Sequence, residues 1–307
     1  MGTPAFACPS LEALLARTDD AVVGVVCQPD RPRGRGLAVT APEVKRLAAS
    51  RGIPVLQPER LSDPGFAAAL RDLAPDLIVV AAYGKILPRW ILDLPPRGCI
   101  NVHASLLPRH RGAAPIPWAI LAGDATTGVT IMAMNEEMDA GDVLLVRAVA
   151  IEPEDTAGTL GARLAALGAA ALVEALDGLK AGRLRPTPQP TEGITFAPRL
   201  TPEQGRLDWS RPAAELDRVV RAFAPVPGAF TTLGNRRLKV HRARPETRSH
   251  AAPPGTVVHA EADGIVVATG AGALRLLEVQ LEGRRRLAAM GFLAGHPLAV
   301  GTCLGTP

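Results

Sequence analysis

Four short apolar runs, Val22 to Gln28, Pro54 to Gln57, Leu77 to Ala82 and Ile100 to His103, are rich in Val and Ile. They are separated by stretches with helical spacing, such as Glu43 to Ser50 and Ala67 to Leu73. Runs this short and this continuously apolar suit strands buried on both faces, and strands joined through helices must run parallel. The alternation therefore predicts an α/β fold with a Rossmann-like parallel sheet. Thr156 to Leu179 repeats Leu and Ala at helical spacing and should form a long helix closing this first domain, residues 1–182. Residues 183–205 follow as an expected linker, extended by the three prolines between Arg183 and Pro190. From about Arg206 the pattern changes to short strands and turns at Ala229 to Leu233, Arg237 to His241, Gly255 to His259, Gly264 to Ala268 and Leu274 to Val279. Residues 206–307 should thus form a small β-barrel.

Composition narrows the class. A chain of 307 residues with 47% hydrophobic content can bury a sizeable core, and its length suggests two domains. No apolar run reaches membrane-spanning length, and the start lacks the basic and apolar regions of a signal peptide. Cys8, Cys27, Cys99 and Cys303 are scattered without C-x-x-C pairing, so neither zinc nor a disulfide framework is implied, and a reducing cytoplasm is the expected compartment. From Thr201 onward there are 14 Lys or Arg against 9 Asp or Glu, while the first 200 residues hold 20 against 21. The excess positive charge lies in the C-terminal third, where Arg236, Arg237, Lys239, Arg242, Arg244 and the run Arg284-Arg285-Arg286 could follow a phosphate backbone. An Arg-rich composition could equally leave such a surface simply solvated.

Residues 99 to 117 carry the chemistry. Asn101 and His103 are two apart on a predicted strand, so both side chains share one face and can act on one substrate atom. The Asn amide can stabilise a developing oxyanion, and His transfers protons near neutrality, with no metal required. Pro108 and Gly112 shape the loop that follows, at the end of the strand where ligands bind in open α/β sheets. An imidazole that takes a proton needs an anion to orient it, and Asp139, in the acidic turn Asn135 to Asp142, is the candidate. Taken alone, an Asn-x-His pair often satisfies turn carbonyls, and an acidic turn is often only solvated.

Together these residues give Asn-x-His-x-Ser-Leu-Leu-Pro-x-x-Arg-Gly, then Thr-Gly-Val-Thr, then Met-Asp-x-Gly-Asp. The series resembles the folate-dependent formyltransferases, and the likeness runs from Gly2 into the last third of the chain. It implies Asn101, His103 and Asp139 as a catalytic trio and 10-formyltetrahydrofolate as co-substrate. The folate would lie against Ser105, Leu106, Leu107 and Pro108 and against the backbone of Tyr83, Gly84, Lys85, Ile86 and Leu87. Gln28-Pro-Asp-Arg-Pro-Arg-Gly-Arg-Gly36 resembles the basic loop of the methionyl-tRNA formyltransferases. That likeness implies initiator methionyl-tRNA as acceptor, Arg31, Arg33, Arg35, Arg199, Arg236 and Arg237 as its contacts, and an oligonucleotide-binding-like barrel. No protein partner, membrane or metal is implied. A formyltransferase with a small amino-sugar or nucleotide acceptor is the alternative, and three arginines in a glycine-bracketed loop argue against it because ordering such a loop suits a large anionic partner.

Met1 to Ala7 resembles the loop that leaves a first central strand, with Ser10 expected to cap a helix bearing Leu11, Leu14 and Leu15. The strand itself is not in the sequence. The resemblance therefore implies a Val/Ile-rich segment upstream of Met1.

Overall fold

The computed structural model describes residues 1–33, 38–248 and 250–305. The chain forms two compact units, neither continuous in sequence. The first holds Met1–Pro115, Thr126–Ala150 and Gly161–Pro198, and the second holds Ile116–Ala125, Ile151–Leu160 and Arg199–Pro307.

In chain order, a 3-10 turn at Ala5–Ala7 precedes α1 (Cys8–Leu15), β1 (Val25–Val26), β2 (Arg31–Arg33), β3 (Ala38–Thr40), α2 (Glu43–Ser50) and β4 (Val55–Leu56). Then come α3 (Pro64–Asp72), β5 (Ile78–Val80), α4 (Arg89–Leu92), β6 (Cys99–His103), α5 (Pro115–Ala122), β7 (Thr126–Ala133), β8 (Val143–Ala150) and α6 (Ala157–Lys180). β1 pairs in parallel with β4, and β5 with β6. Met1 and Gly2 lie between these pairs, because the Gly2 amide donates to Val26, the Ala81 amide donates to Met1, and Gly2 bridges Ala81 in parallel. Only glycine fits there, since a Cβ on Gly2 would lie 2.6 Å from that of Ala7. A cavity of about 330 Å³, lined partly by Leu14, Val22, Val23, Leu73 and Leu77, adjoins this pairing.

The parallel expectation holds for β1, β4, β5 and β6, but β7 and β8 continue the sheet antiparallel. Their orientation was not legible because β7 is buried along most of its length and lacks the alternation of a half-exposed antiparallel strand. Ser10 does not cap α1. The 3-10 turn starts the helix earlier, leaving Ser10 inside it, buried and with its hydroxyl unpartnered. By length and composition α6 could cross a bilayer, yet half of its most apolar window is buried within the protein. At Gly168 a Cβ would stand 2.8 Å from Val102 Cγ1, so the glycine lets α6 lie close against β6.

The segment expected as a linker does not hang free. Within the first unit Thr187 bridges Val143 and Phe196 bridges Arg111.

The second unit continues with α7 (Ala213–Phe223), β9 (Ala229–Leu233), β10 (Arg236–Glu246), β11 (Val257–Glu261), β12 (Gly264–Ala268), β13 (Ala273–Leu281), β14 (Leu287–Ala288) and α8 (Ala289–Gly295). The strand order is β11-β12-β13-β10-β9, all antiparallel, with β14 added to β13. Near the C-terminus Leu304 bridges Leu233 of β9 and Cys303 bridges Thr256 beside β11. One short segment thus joins both edges of the sheet, which is how an open sheet becomes barrel-like.

Candidate active site

β6 sits between β5 and β7, with Asn101 opposite Met132 and His103 opposite Thr130. The pleat aims Asn101 and His103 to one face. There the acidic turn after β7 brings up Asp139. Asn101 Nδ2 lies 3.4 Å from Asp139 Oδ1, and His103 Nδ1 lies 3.6 Å from Asp139 Oδ2. The same Oδ2 accepts the backbone amide of Gly112 at 2.8 Å. The structure therefore brings together the three residues that the sequence singled out.

His103 is buried, and its Nε2 is 3.1 Å from the carbonyl of His110. Burial pushes the imidazole pKa below its ordinary value, opposed by the Asp139 charge and the His110 carbonyl, while the nearby His110 ring lowers it further. Both ring nitrogens face oxygen, Nε2 within hydrogen-bond reach of the His110 carbonyl and Nδ1 at ion-pair distance from Asp139. Asp139 and His110 themselves have φ of +51° and +58°, left-handed values uncommon outside glycine.

Two residues the sequence did not flag, Thr130 and Thr195, help to hold the surrounding loop. Fully buried Thr130 donates to the Ser105 carbonyl at 2.7 Å and accepts the Leu107 amide at 3.2 Å. Ser105 Oγ donates to the Arg109 carbonyl at 2.6 Å, so that hydroxyl shapes the loop from inside. The His110 amide donates to Thr195 Oγ1 at 2.8 Å, and Arg111 pairs by its backbone with Thr195 and Ala197. A Cβ at Gly112, φ +123°, would lie 2.8 Å from the Ala197 carbonyl oxygen. Thr130 falls inside the Thr-Gly-Val-Thr run and was within reach of motif reading, whereas Thr195 stands in the expected linker with no local signal.

The folate loop candidates divide by side. Tyr83 and Leu87 are buried in the core with Val26, Val80 and Ile91, and burial raises the Tyr83 phenol to about 12. Lys85 Nζ donates to the carbonyls of Pro58 and Glu59 at 2.9 and 2.7 Å. Gly84 and Ile86 are exposed, and among the described residues the amides of Gly84, Lys85, Ile86 and Leu87 donate to no backbone carbonyl. This turn can meet a ligand through its backbone. Leu106 and Pro108 are half-buried, and Leu107 is buried.

Of the arginines expected at the tRNA, Arg31 and Arg33 lie on β2, which pairs antiparallel with β3, and Arg31 is exposed. Arg35 lies outside the described residues. Arg199, Arg236 and Arg237 belong to the second unit and are exposed, with the Arg237 guanidinium 4.0 Å from the centre of the Phe230 ring. Among the described residues no group of three His, Cys, Asp or Glu is placed to hold a metal ion.

Residues 1–176 match the family model of formyl transferases, and residues 199–297 match that of the formyl transferase C-terminal domain. A methionyl-tRNA formyltransferase of Myxococcus xanthus is 55% identical over 302 residues, 98% of this chain and 96% of the relative. One of Anaeromyxobacter dehalogenans is 53% identical over 298 residues, 96% of this chain and 95% of the relative. Among solved structures, an N-formyltransferase from Helicobacter canadensis in complex with folinic acid and dTDP-3-aminofucose superposes with a TM-score of 0.65. It covers 90% of this chain and 97% of that one at 15% identity, a likeness of fold.

Proposed function

The chain belongs to the formyltransferases, within them to the methionyl-tRNA formyltransferases, and from that premise we propose that Asn101, His103 and Asp139 carry the chemistry. The enzyme transfers the formyl group of 10-formyltetrahydrofolate to the free amino group of methionyl initiator tRNA. Relatives matched over nearly their whole length are named for methionyl-tRNA, so a small amino-sugar or nucleotide acceptor is not favoured.

One observation carries the assignment of roles. A single carboxylate, Asp139, faces both the amide of Asn101 and the imidazole of His103. When bound, 10-formyltetrahydrofolate supplies an electrophilic formyl carbon. One N–H of Asn101 points to Asp139, leaving the other to donate to the formyl oxygen as charge builds there. His103, whose burial favours the neutral ring, supports proton movement as the amine attacks, and Asp139 stabilises the charge the ring gains. The new bond joins the methionine nitrogen to the formyl carbon, and the bond from that carbon to folate N10 breaks.

For the folate we assign Ser105, Leu106, Leu107, Pro108 and the Tyr83 to Leu87 loop, whose amides without backbone partners suit the acceptor edge of a pterin. Ser105 and Lys85 act there through the loop backbones they hold. For the tRNA we assign Arg31, Arg33, Arg35, Arg199, Arg236 and Arg237, of which Arg31, Arg199, Arg236 and Arg237 are exposed cations able to meet phosphates. We take residues 1–182 as the catalytic domain, 183–205 as the connection and 206–307 as the tRNA-binding domain, which the family matches at 1–176 and 199–297 support. A cytoplasmic location follows from the substrates. Formylation of charged initiator tRNA, with elongator methionyl-tRNA as the comparison, tests the activity. Substantial turnover of the initiator with little of the elongator is expected, and equal turnover of both would overturn initiator specificity.

A further inference from the structure

Gln189 lies in the extended chain after α6, remote in sequence from the trio. Its Nε2 donates to two carbonyls, those of Asp139 and Gly141, both at 2.8 Å. Its Oε1 accepts from Arg111, at 3.2 Å from Nε and 2.7 Å from a terminal nitrogen. The carboxamide has one possible orientation. A guanidinium can only donate and a backbone carbonyl can only accept, so the oxygen must face Arg111 and the nitrogen must face the turn.

We propose that Gln189 is a positioning residue for Asp139, fixing the backbone that aims the carboxylate at Asn101 and His103. The proposal rests on the reading of that trio as catalytic.

Three observations carry it. Asp139 holds a left-handed φ of +51°, a conformation uncommon outside glycine, so its backbone is a point where a fixed partner matters. Among the described residues, Gln189 supplies the only side-chain hydrogen bonds to the backbone of residues 138–141. Arg111 directly precedes Gly112, whose amide binds the Asp139 carboxylate. Gln189 thus closes a ring: it ties the Asp139 backbone to the same segment, 111–112, that grips the Asp139 side chain. Displacing the turn would release both contacts, and carboxylate misplacement of about an ångström is enough to lower turnover strongly.

Gln189→Glu is the sharpest variant because it keeps the shape and the acceptor for Arg111 while turning an oxygen toward two carbonyls. Gln189→Leu removes both sets of bonds. With charged initiator tRNA and 10-formyltetrahydrofolate, each variant should lower kcat by about tenfold or more, with KM for the folate changed less than about twofold. A second arm separates positioning from simple support of the fold. In an Asp139→Ala background no carboxylate remains to be aimed, so adding Gln189→Leu should lower the residual kcat by less than about twofold.

Near-normal kcat in both single variants, or the same factor lost in both backgrounds, would overturn the proposal. If Gln189→Leu melts earlier, the isosteric Glu variant carries the measurement. The failures remain distinguishable: normal turnover by Asp139→Ala sinks the catalytic reading itself, whereas an impaired Asp139→Ala beside a normal Gln189→Glu sinks only the positioning role.

Discussion

The end of β6 and the basic surface groups handle charge in opposite ways. At β6 the imidazole of His103 and the carboxylate of Asp139 are largely withdrawn from water, each between short-range partners fixed by backbone and buried side chains. On the second unit, Arg236 and Arg237 stand exposed, while other cations are already matched: Arg275 lies 2.6 Å from Asp263 and also pairs with Glu246, and Arg286 pairs with Glu278. Of the run Arg284-Arg285-Arg286, therefore, only part of the charge is available to a phosphate. The first arrangement depends on position to a fraction of an ångström and little on salt. The second acts over a distance that ions screen, so each group contributes modestly. Chemistry and acceptor binding should thus separate cleanly under mutation and salt.

The largest test of that separation is at the trio. His103→Ala and Asp139→Ala should each lower kcat by about 100-fold or more, the scale of lost proton-transfer help, with unchanged far-UV circular dichroism and the same loss at low and high salt. Near-normal turnover in either variant removes that residue from the mechanism.

Gly141→Ala comes next, because it probes the frame and not the reacting groups. A Cβ there would sit 1.9 Å from the Ala133 carbonyl oxygen, so the turn carrying Asp139 has to move. Overpacking of this kind costs about 1–3 kcal/mol. The melting temperature should fall and kcat should drop by about tenfold, an effect intermediate between the trio and the surface. A variant with unchanged melting temperature and turnover would show that this turn tolerates displacement.

Smaller effects belong to the exposed arginines. Arg31→Ala and Arg236→Ala should each lower kcat/KM for charged tRNA by a few-fold at low salt, leave the folate KM unchanged, and reduce the slope of log(kcat/KM) against log[salt] by about one. Equal losses of folate and tRNA affinity on Arg31→Ala would move β2 to the folate site and blur the contrast between the two regions.

The smallest expected change is in the pH profile. With an ordinary pKa of about 6.5, His103 would be about three-quarters protonated at pH 6 and kcat would fall about fourfold from its plateau. Burial lowers the pKa, so the acid limb moves to lower pH and kcat at pH 6 should stay above about a quarter of its plateau. The stability sign agrees. The unfolded chain binds this proton more tightly, so stability attributable to His103 is present above about pH 6.5 and declines as pH falls below it. An acid limb at or above pH 6.5 would mean that Asp139 outweighs desolvation.

Much of this was legible in the sequence. Helix α2 and strands β9 and β12 occupy the stretches that local pattern assigned, and Asn101, His103 and Asp139 were singled out from motif and spacing. What local pattern missed has physical causes. Val22 to Gln28 reads as a seven-residue strand, yet only Val25 and Val26 pair with β4, since a strand exists only where a neighbour supplies hydrogen bonds. Residues 183–205 read as a linker, extended by the prolines between Arg183 and Pro190, yet Gln189 and Thr195 within it bond to the turn and loop beside the trio. Proline spacing reports backbone stiffness and carries no information about which distant groups a side chain will meet.

By itself the sequence determined whatever depends on near neighbours. The period of two put Asn101 and His103 on one face, apolar runs and helical repeats set the α/β order, and glycines mark turns such as the one at Gly112. Only tertiary structure decided the rest: that β7 folds back antiparallel on β6, that Asp139 then comes within 3.4 Å of an asparagine 38 residues away, and that Gln189 reaches the Asp139 carbonyl across 50 residues. Helix and strand patterns arise from interactions a few residues apart, which a chain displays in its order of residues. The approach of remote polar groups is fixed by strand register and by the close packing that α6 achieves at Gly168, and those exist only once the whole sheet has formed.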